Sequence, residues 1–284
     1  MAEPVVIVEY DPEWPVRFER ERDRVAAALG DLVERIEHVG STAVPGLAAK
    51  PVVDLDAVLR SVDDWERCVE PLAAAGYERW PQGDFGDRRF LRRYEDGVRV
   101  AHLSLLGAES LVLREHLALR DLLRGDPELA RRYGELKREL AAEHGDDRIA
   151  YTDAKTAFVL EALQPANRAV TAHLDGRGGS HEDTGFRLRR IARTAGLEAL
   201  AHTLHGSFAL TTPDGLIVAF SLGFDALYLP LAPDDVRNLT PPHDEAPPLA
   251  GWVAVDAFQP ELPAGEGLRR LALALRRAWG RATG

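Results

Sequence analysis

Cysteine is almost absent from the 284-residue sequence: Cys68 stands alone. A disulfide within the chain is thereby excluded, and a cysteine-based zinc site lacks its ligands. No apolar run approaches the ~20 residues that a membrane span requires, so no membrane association is expected. The opening MAEPVVIVEYDPEWP has no basic stretch ahead of its apolar residues and does not read as a signal peptide. A reducing, cytoplasmic setting is therefore expected. Zinc-finger spacing, the GxxxxGK[ST] phosphate loop, the GxGxxG fingerprint and internal repeats are all missing. Positive charge is outnumbered, with 35 Lys and Arg against 46 Asp and Glu, a net charge of −11. Such a surface repels long nucleic acids, while a small anion in one local basic pocket stays compatible with it.

What is present suffices for packed cores: 45% of residues are hydrophobic and 29% charged. The length suggests two domains at roughly 150 residues each. Residues 17–29 read as an amphipathic helix stopped by Gly30, followed by strands at 33–39 and 51–59. Asp63 introduces a helix ending at Gly76, and strands at 88–94 and 98–106 flank an Asp96-Gly97 hairpin turn. Three helices follow: 109–124, one opened by Asp126-Pro127, and one running from Asp146 or Asp147 to Gln164. The Gly-rich, polar stretch 174–185 reads as a linker or exposed loop. Helix–strands–strand–helix patterning fills 186–284. The expected organisation is a first domain over 1–165, a linker over 166–185 and a small α/β domain over 186–284.

The chemistry concentrates in IEHVGSTAVPGLAAKPVVDLDAVL, residues 36–59. Side chains alternate along a strand, so Asp54 and Asp56 share one face while Val53 and Leu55 share the other. Two carboxylates so close need a counter-charge. A divalent ion such as Mg²⁺ supplies one, and it is commonly held by a few carboxylates plus phosphate oxygens. Upstream, Gly40 lets the backbone approach a ligand closely, and the Ser41 and Thr42 hydroxyls with nearby N–H groups can hold phosphate oxygens. Either feature alone is commonplace: paired acids at a solvent edge, Gly-Ser in a turn.

Together they resemble the signature of the nucleotidyltransferase superfamily, as in polymerase beta-like enzymes. The segments YDPEWPVRFERE (10–21), EHVGSTAVPGLAAKPVVDLD (37–56), HLALRDLLRGDPELARRYGELKREL (116–140) and AYTDAKTAF (150–158) resemble the GrpB family over residues 5–163. That resemblance implies a nucleotidyltransferase-type fold, and GrpB domains also occur fused to some dephospho-CoA kinases. It places the phosphate turn on Gly40 and Ser41 and the metal carboxylates on Asp54 and Asp56. A third carboxylate usually lies on a later strand. The matching strand here, 98–106, has no acid, and His102 and Ser104 occupy its polar face.

Other polar residues keep two readings each. Lys50 can reach a phosphate as a point charge or be solvated at the surface, and Arg88 and Arg89 can face a triphosphate or flank a sheet edge. Tyr151 and Lys155, four residues apart, line a cleft or form a helix-surface pair. His38 is expected to make a structural hydrogen bond, and His116 and Arg120 to serve packing and ion pairing. The 186–284 segment faintly resembles TfoX N-terminal or YjbR-like small domains, which implies binding and a protein partner.

The expected fold is α+β: a nucleotidyltransferase-like mixed sheet with helices, plus a second small α/β domain. Two functions stand. One is transfer of a nucleotidyl group from a nucleoside triphosphate to a small molecule or protein. In it Asp54 and Asp56 hold Mg²⁺ or Mn²⁺, Gly40, Ser41, Thr42 and Lys50 bind the nucleotide, and His102 replaces the missing acid as ligand or base. The other is a non-catalytic nucleotide- or coenzyme-binding module.

Overall fold

The computed structural model describes residues 5–84, 87–144, 148–243, 246–263 and 265–283. It divides into two compact units, 1–148 and 149–284. In the first, α1 (Trp14–Leu29) leads through β1 (Val33–Val39) to β2 (Val53–Leu59), α2 (Trp65–Ala74) and β3 (Tyr77–Arg79). β4 (Arg89–Glu95), β5 (Val98–Gly107), α3 (Leu111–Gly125) and α4 (Pro127–His144) complete it. The sheet order is β1-β2-β5-β4-β3. β2 and β5 run parallel, and every other neighbouring pair is antiparallel. Asp96 and Gly97 both take positive φ (49° and 78°), the backbone a tight β4–β5 hairpin demands.

Strand alternation sorts this sheet into two faces. Val53, Leu55, Ala57 and Leu59 of β2 join Ala101, Leu103 and Leu105 of β5 beneath Phe18, Val25 and Leu29 of α1 and Cys68 and Leu72 of α2. The intervening residues, Asp54, Asp56, His102 and Ser104, therefore project from the opposite face. An apolar core on one side thus fixes the register that displays the acids on the other.

The second unit begins within α5 (Arg148–Leu163) and continues with α6 (Arg168–Leu174) and α7 (Glu182–Ala195). β6 (Leu200–Leu204), β7 (Ser207–Thr211), β8 (Ile217–Leu222), β9 (Ala226–Leu229), β10 (Val253–Asp256) and α8 (Glu266–Thr283) follow. Its antiparallel sheet, ordered β10-β9-β8-β7-β6, is covered on both faces. Leu188 and Ile191 of α7 and Leu271 and Leu275 of α8 bury one side. Ala157 and Leu160 of α5 and Val170 and Leu174 of α6 bury the other.

Here the structure departs from the expected boundaries. α5, expected to close the first domain, lies in the second unit, and the expected linker 166–185 holds α6. The reason is apolar periodicity: Val170 and Leu174 are buried against the second sheet. The Gly-rich run is also pinned at its end, with Ser180 N donating to Gly206 O (3.0 Å) and His181 N to Gly223 O (2.9 Å). The start expected for the third helix, Asp146 or Asp147, lies outside the described residues. Among the described residues no helix is long and apolar enough to cross a membrane.

Candidate functional site

β1 ends at Gly40, whose φ of 69° and ψ of −171° belong to a region that essentially only glycine occupies. A Cβ there would stand 2.4 Å from Asp54 Oδ2, so the missing side chain lets the turn lie against the first acid. The chain then makes a short 3-10 turn, Ser41–Ala43. It is held from α3: Arg124 Nε donates to Ala43 O (2.9 Å), and Arg120 Nη1 to His38 O (3.2 Å) and Glu37 Oε2 (3.0 Å). From α4, the buried Lys137 ammonium donates to Ser41 Oγ (2.8 Å) and Ala48 O (2.5 Å). Lys137 is 2% exposed and sits 4.6 Å from the Tyr133 ring centroid. A single fixed cation thus ties both ends of the 41–48 segment.

The parallel β2–β5 register sets Asp54 beside His102 and Asp56 beside Ser104. His102 Nδ1 lies 2.8 Å from Asp54 Oδ1, and His116 Nδ1, reaching down from α3, lies 2.8 Å from Asp56 Oδ2. Asp54 is about one-third exposed, whereas Asp56 is 1% exposed. Burial works against a charged His116, but the Asp56 carboxylate outweighs it and raises the imidazole above its ordinary value. Arg88 donates to Gly83 O (2.8 Å); burial lowers its guanidinium, with the Asp56 and Asp54 charges acting against that. The two acids are therefore surrounded by two imidazoles and a guanidinium, so the chain itself relieves their mutual repulsion.

On this face the buried atoms Asp56 Oδ1, His102 Nε2 and Arg88 Nε have no hydrogen-bond partner among the described residues. Buried polar groups without a partner are rare in folded proteins. Among the described residues no group of three or more His, Cys, Asp or Glu is arranged to hold a metal ion.

Of the residues singled out in the sequence, Gly40, Ser41, Asp54, Asp56 and His102 lie on the same sheet face or on the turn leading to it. Thr42 is turned away, its hydroxyl 3.0 Å from His38 Nε2. His38 belongs to the opposite face, registered with Leu55 and stacked on Phe18 at 4.3 Å between ring centroids. Lys50 is half-buried just ahead of β2, and the ammonium that meets Ser41 is that of Lys137. Tyr151 and Lys155 pair with each other in the second unit, 5.1 Å from ammonium to ring. His116 and Lys137 escape a sequence reading as site residues. Their one signal is that both fall in the 116–140 stretch that resembles GrpB.

A mixed sheet with a glycine turn facing strand-borne acids is the arrangement the GrpB resemblance implies. The GrpB protein family is matched over residues 4–165, more than half of the chain, and the chain belongs to that family. Among its relatives, the UPF0157 protein YqkA of Bacillus subtilis is 30% identical over 164 residues, 58% of this chain and 48% of that protein. The chain thus spans about half the length of that relative. A UPF0157 protein of Halalkalibacterium halodurans is 34% identical over 57% of this chain and 83% of its own. The crystal structure of GrpB from Enterococcus faecalis superposes with a TM-score of 0.52 at 30% identity, covering 57% of this chain and 99% of that one.

Proposed function

We propose that the first unit binds a phosphorylated small molecule, a nucleoside triphosphate in the first instance, and transfers its nucleotidyl group to a hydroxyl acceptor. The observation that carries this reading is the contact of the Gly40 backbone with Asp54, at the head of a strand whose two acids face one way. Ser41, with the Lys137 ammonium behind it, is positioned to bind phosphate oxygens. Asp54 and Asp56 would hold a single Mg²⁺ or Mn²⁺, and the unpartnered Asp56 Oδ1 is the support for this. Such an ion, when bound, neutralises charge on the phosphate oxygens.

His102 is the candidate base. With its Nδ1 proton donated to Asp54, its Nε2 lone pair can take the proton of the acceptor hydroxyl. The freed oxygen attacks the α-phosphorus, the bond to the bridging oxygen breaks, and pyrophosphate leaves.

A second reading, a binding module without catalysis, is favoured by Ser104 standing opposite Asp56 where a carboxylate would complete the acid set. One experiment separates them: melting temperature with nucleoside triphosphates and coenzyme A, with and without Mn²⁺, beside an assay for pyrophosphate release. A metal-dependent shift with release supports transfer, and a shift without release for any acceptor supports binding alone. No shift with any ligand would remove both.

A further inference from the structure

We propose that the outward face of α7 is a docking surface for an acidic protein segment carrying apolar anchor residues. Phe186, Arg189, Arg190 and Arg193 recur at the three- and four-residue spacing that lines one side of a helix. All four are exposed, Phe186 at 63%. The Arg189 guanidinium lies 4.9 Å from the Phe186 ring and 5.6 Å from that of Phe208, which holds it outward without a carboxylate. Gly185 makes this possible, because a Cβ there would meet the Phe208 ring at 2.5 Å. A second exposed ring, Phe224 at 53%, is brought to the same helix end by the hydrogen bond from Thr184 Oγ1 to its carbonyl.

The arginines of α8 behave differently. Arg269 and Arg270 pair with Glu266, Arg281 with Asp235, and Arg276 and Arg277 donate to backbone carbonyls. Among the described residues Arg189, Arg190 and Arg193 form no ion pair. A chain with a net charge of −11 thus carries, among the described residues, three guanidinium groups outside any ion pair along about 6 Å of helix, beside exposed aromatic rings. Arginine and aromatic side chains are the residues that dominate binding energy at protein interfaces. The unpaired cations select carboxylates, and the rings select apolar side chains between them. A long nucleic acid fits less well, since so short a basic stripe must overcome repulsion from the rest of the molecule.

The test is fluorescence polarisation on the full chain with three labelled probes: a peptide of alternating Glu and Phe, the same peptide with Lys for Glu, and an oligothymidylate. The Glu peptide should bind and weaken with salt. The exposed double charge reversal R190E/R193E should weaken it about tenfold or more, F186A should weaken it as well, and the Lys peptide should gain binding to R190E/R193E. Unchanged melting temperatures confirm that these variants fold. Equal binding of the Glu peptide by wild type and R190E/R193E, no binding of it at all, or tighter binding of the oligonucleotide would overturn the proposal. Concentration-dependent self-association lost in R190E/R193E would also overturn it, by assigning the face to a second copy.

Discussion

Gly40 and Asp54 occupy each other's space: the one has no side chain where the other's carboxylate lies, with 2.4 Å between an added Cβ and Oδ2. Gly40→Ala should therefore destabilise the first unit twice over, through the contact and through a backbone conformation costing about 1–3 kcal/mol for a non-glycine residue. Asp54→Ala should remove most of the first cost, keeping only the Cβ contact at 3.1 Å, and leave the second. In urea denaturation the double variant should then be more stable than the sum of the single changes allows. Strict additivity would mean that the close approach carries no energy.

The His102 and His116 contacts change what neutralising the acids should do. Were repulsion between Asp54 and Asp56 dominant, either Asn variant would gain stability. Each carboxylate instead meets a histidine Nδ1 at 2.8 Å, so Asp54→Asn and Asp56→Asn should each lose a charge-assisted hydrogen bond, about 1.5–3 kcal/mol. Asp56→Asn should lose more, because that residue is buried. If the pair holds a cation, Mn²⁺ titrated calorimetrically in the presence of nucleotide should bind each variant about tenfold more weakly. Equal affinity in all three proteins would return the acids to a structural role.

Two histidines of this unit should act on stability in opposite pH windows. Burial lowers His38 to about 4, opposed by Asp54 and helped by Arg124 and Arg120. The folded state then binds fewer protons than the unfolded one, so this contribution is whole above pH 6.5 and is lost as pH falls towards 4. The loss is up to about 3 kcal/mol. His116 is raised, so its contribution is whole below its unfolded value and is lost as pH climbs through the folded one. Chemical denaturation against pH should show the acid-side slope flattened in His38→Gln and the neutral-to-alkaline slope flattened in His116→Gln. Unaltered slopes in both would refute the assignment.

The strands that bear the acids were legible because alternation and a stopping glycine are local signals: Val53 and Leu55 must pack, so Asp54 and Asp56 must face away. The same logic placed His102, but not its neighbour, since pairing β2 with β5 across 48 residues is a tertiary fact. His116 and Lys137 stayed hidden because a helix's polar residues default to solvent. Only the sheet beneath α3, and the 41–48 segment beside α4, turn these two inward. His38 makes the structural hydrogen bond expected of it, to the Thr42 hydroxyl. α6 has only seven residues and runs straight into the Gly-rich stretch, so a linker pattern masks its two core residues, Val170 and Leu174.

That last misreading leads to a test of where the chain divides. Family similarity runs to residue 165, whereas packing assigns α5 to the second unit from Ile149 onward. Leu160 is fully buried and Ala157 nearly so, in the cluster that includes Phe220 and Tyr228 of the second sheet. A fragment spanning 149–284 should unfold cooperatively, while 166–284, stripped of α5, should expose that face. Losing a buried leucine alone forfeits about 1.5–3 kcal/mol, and Asn167, whose side chain bonds Leu160 O (3.0 Å), Gly215 O (2.7 Å) and Ile217 N (2.9 Å), would lose its first partner. The shorter fragment should therefore melt lower or aggregate. Conversely, 1–148 should keep its fold and its melting-temperature response to nucleotide without α5. Equal cooperativity and melting temperature for 149–284 and 166–284 would put the boundary back at residue 165.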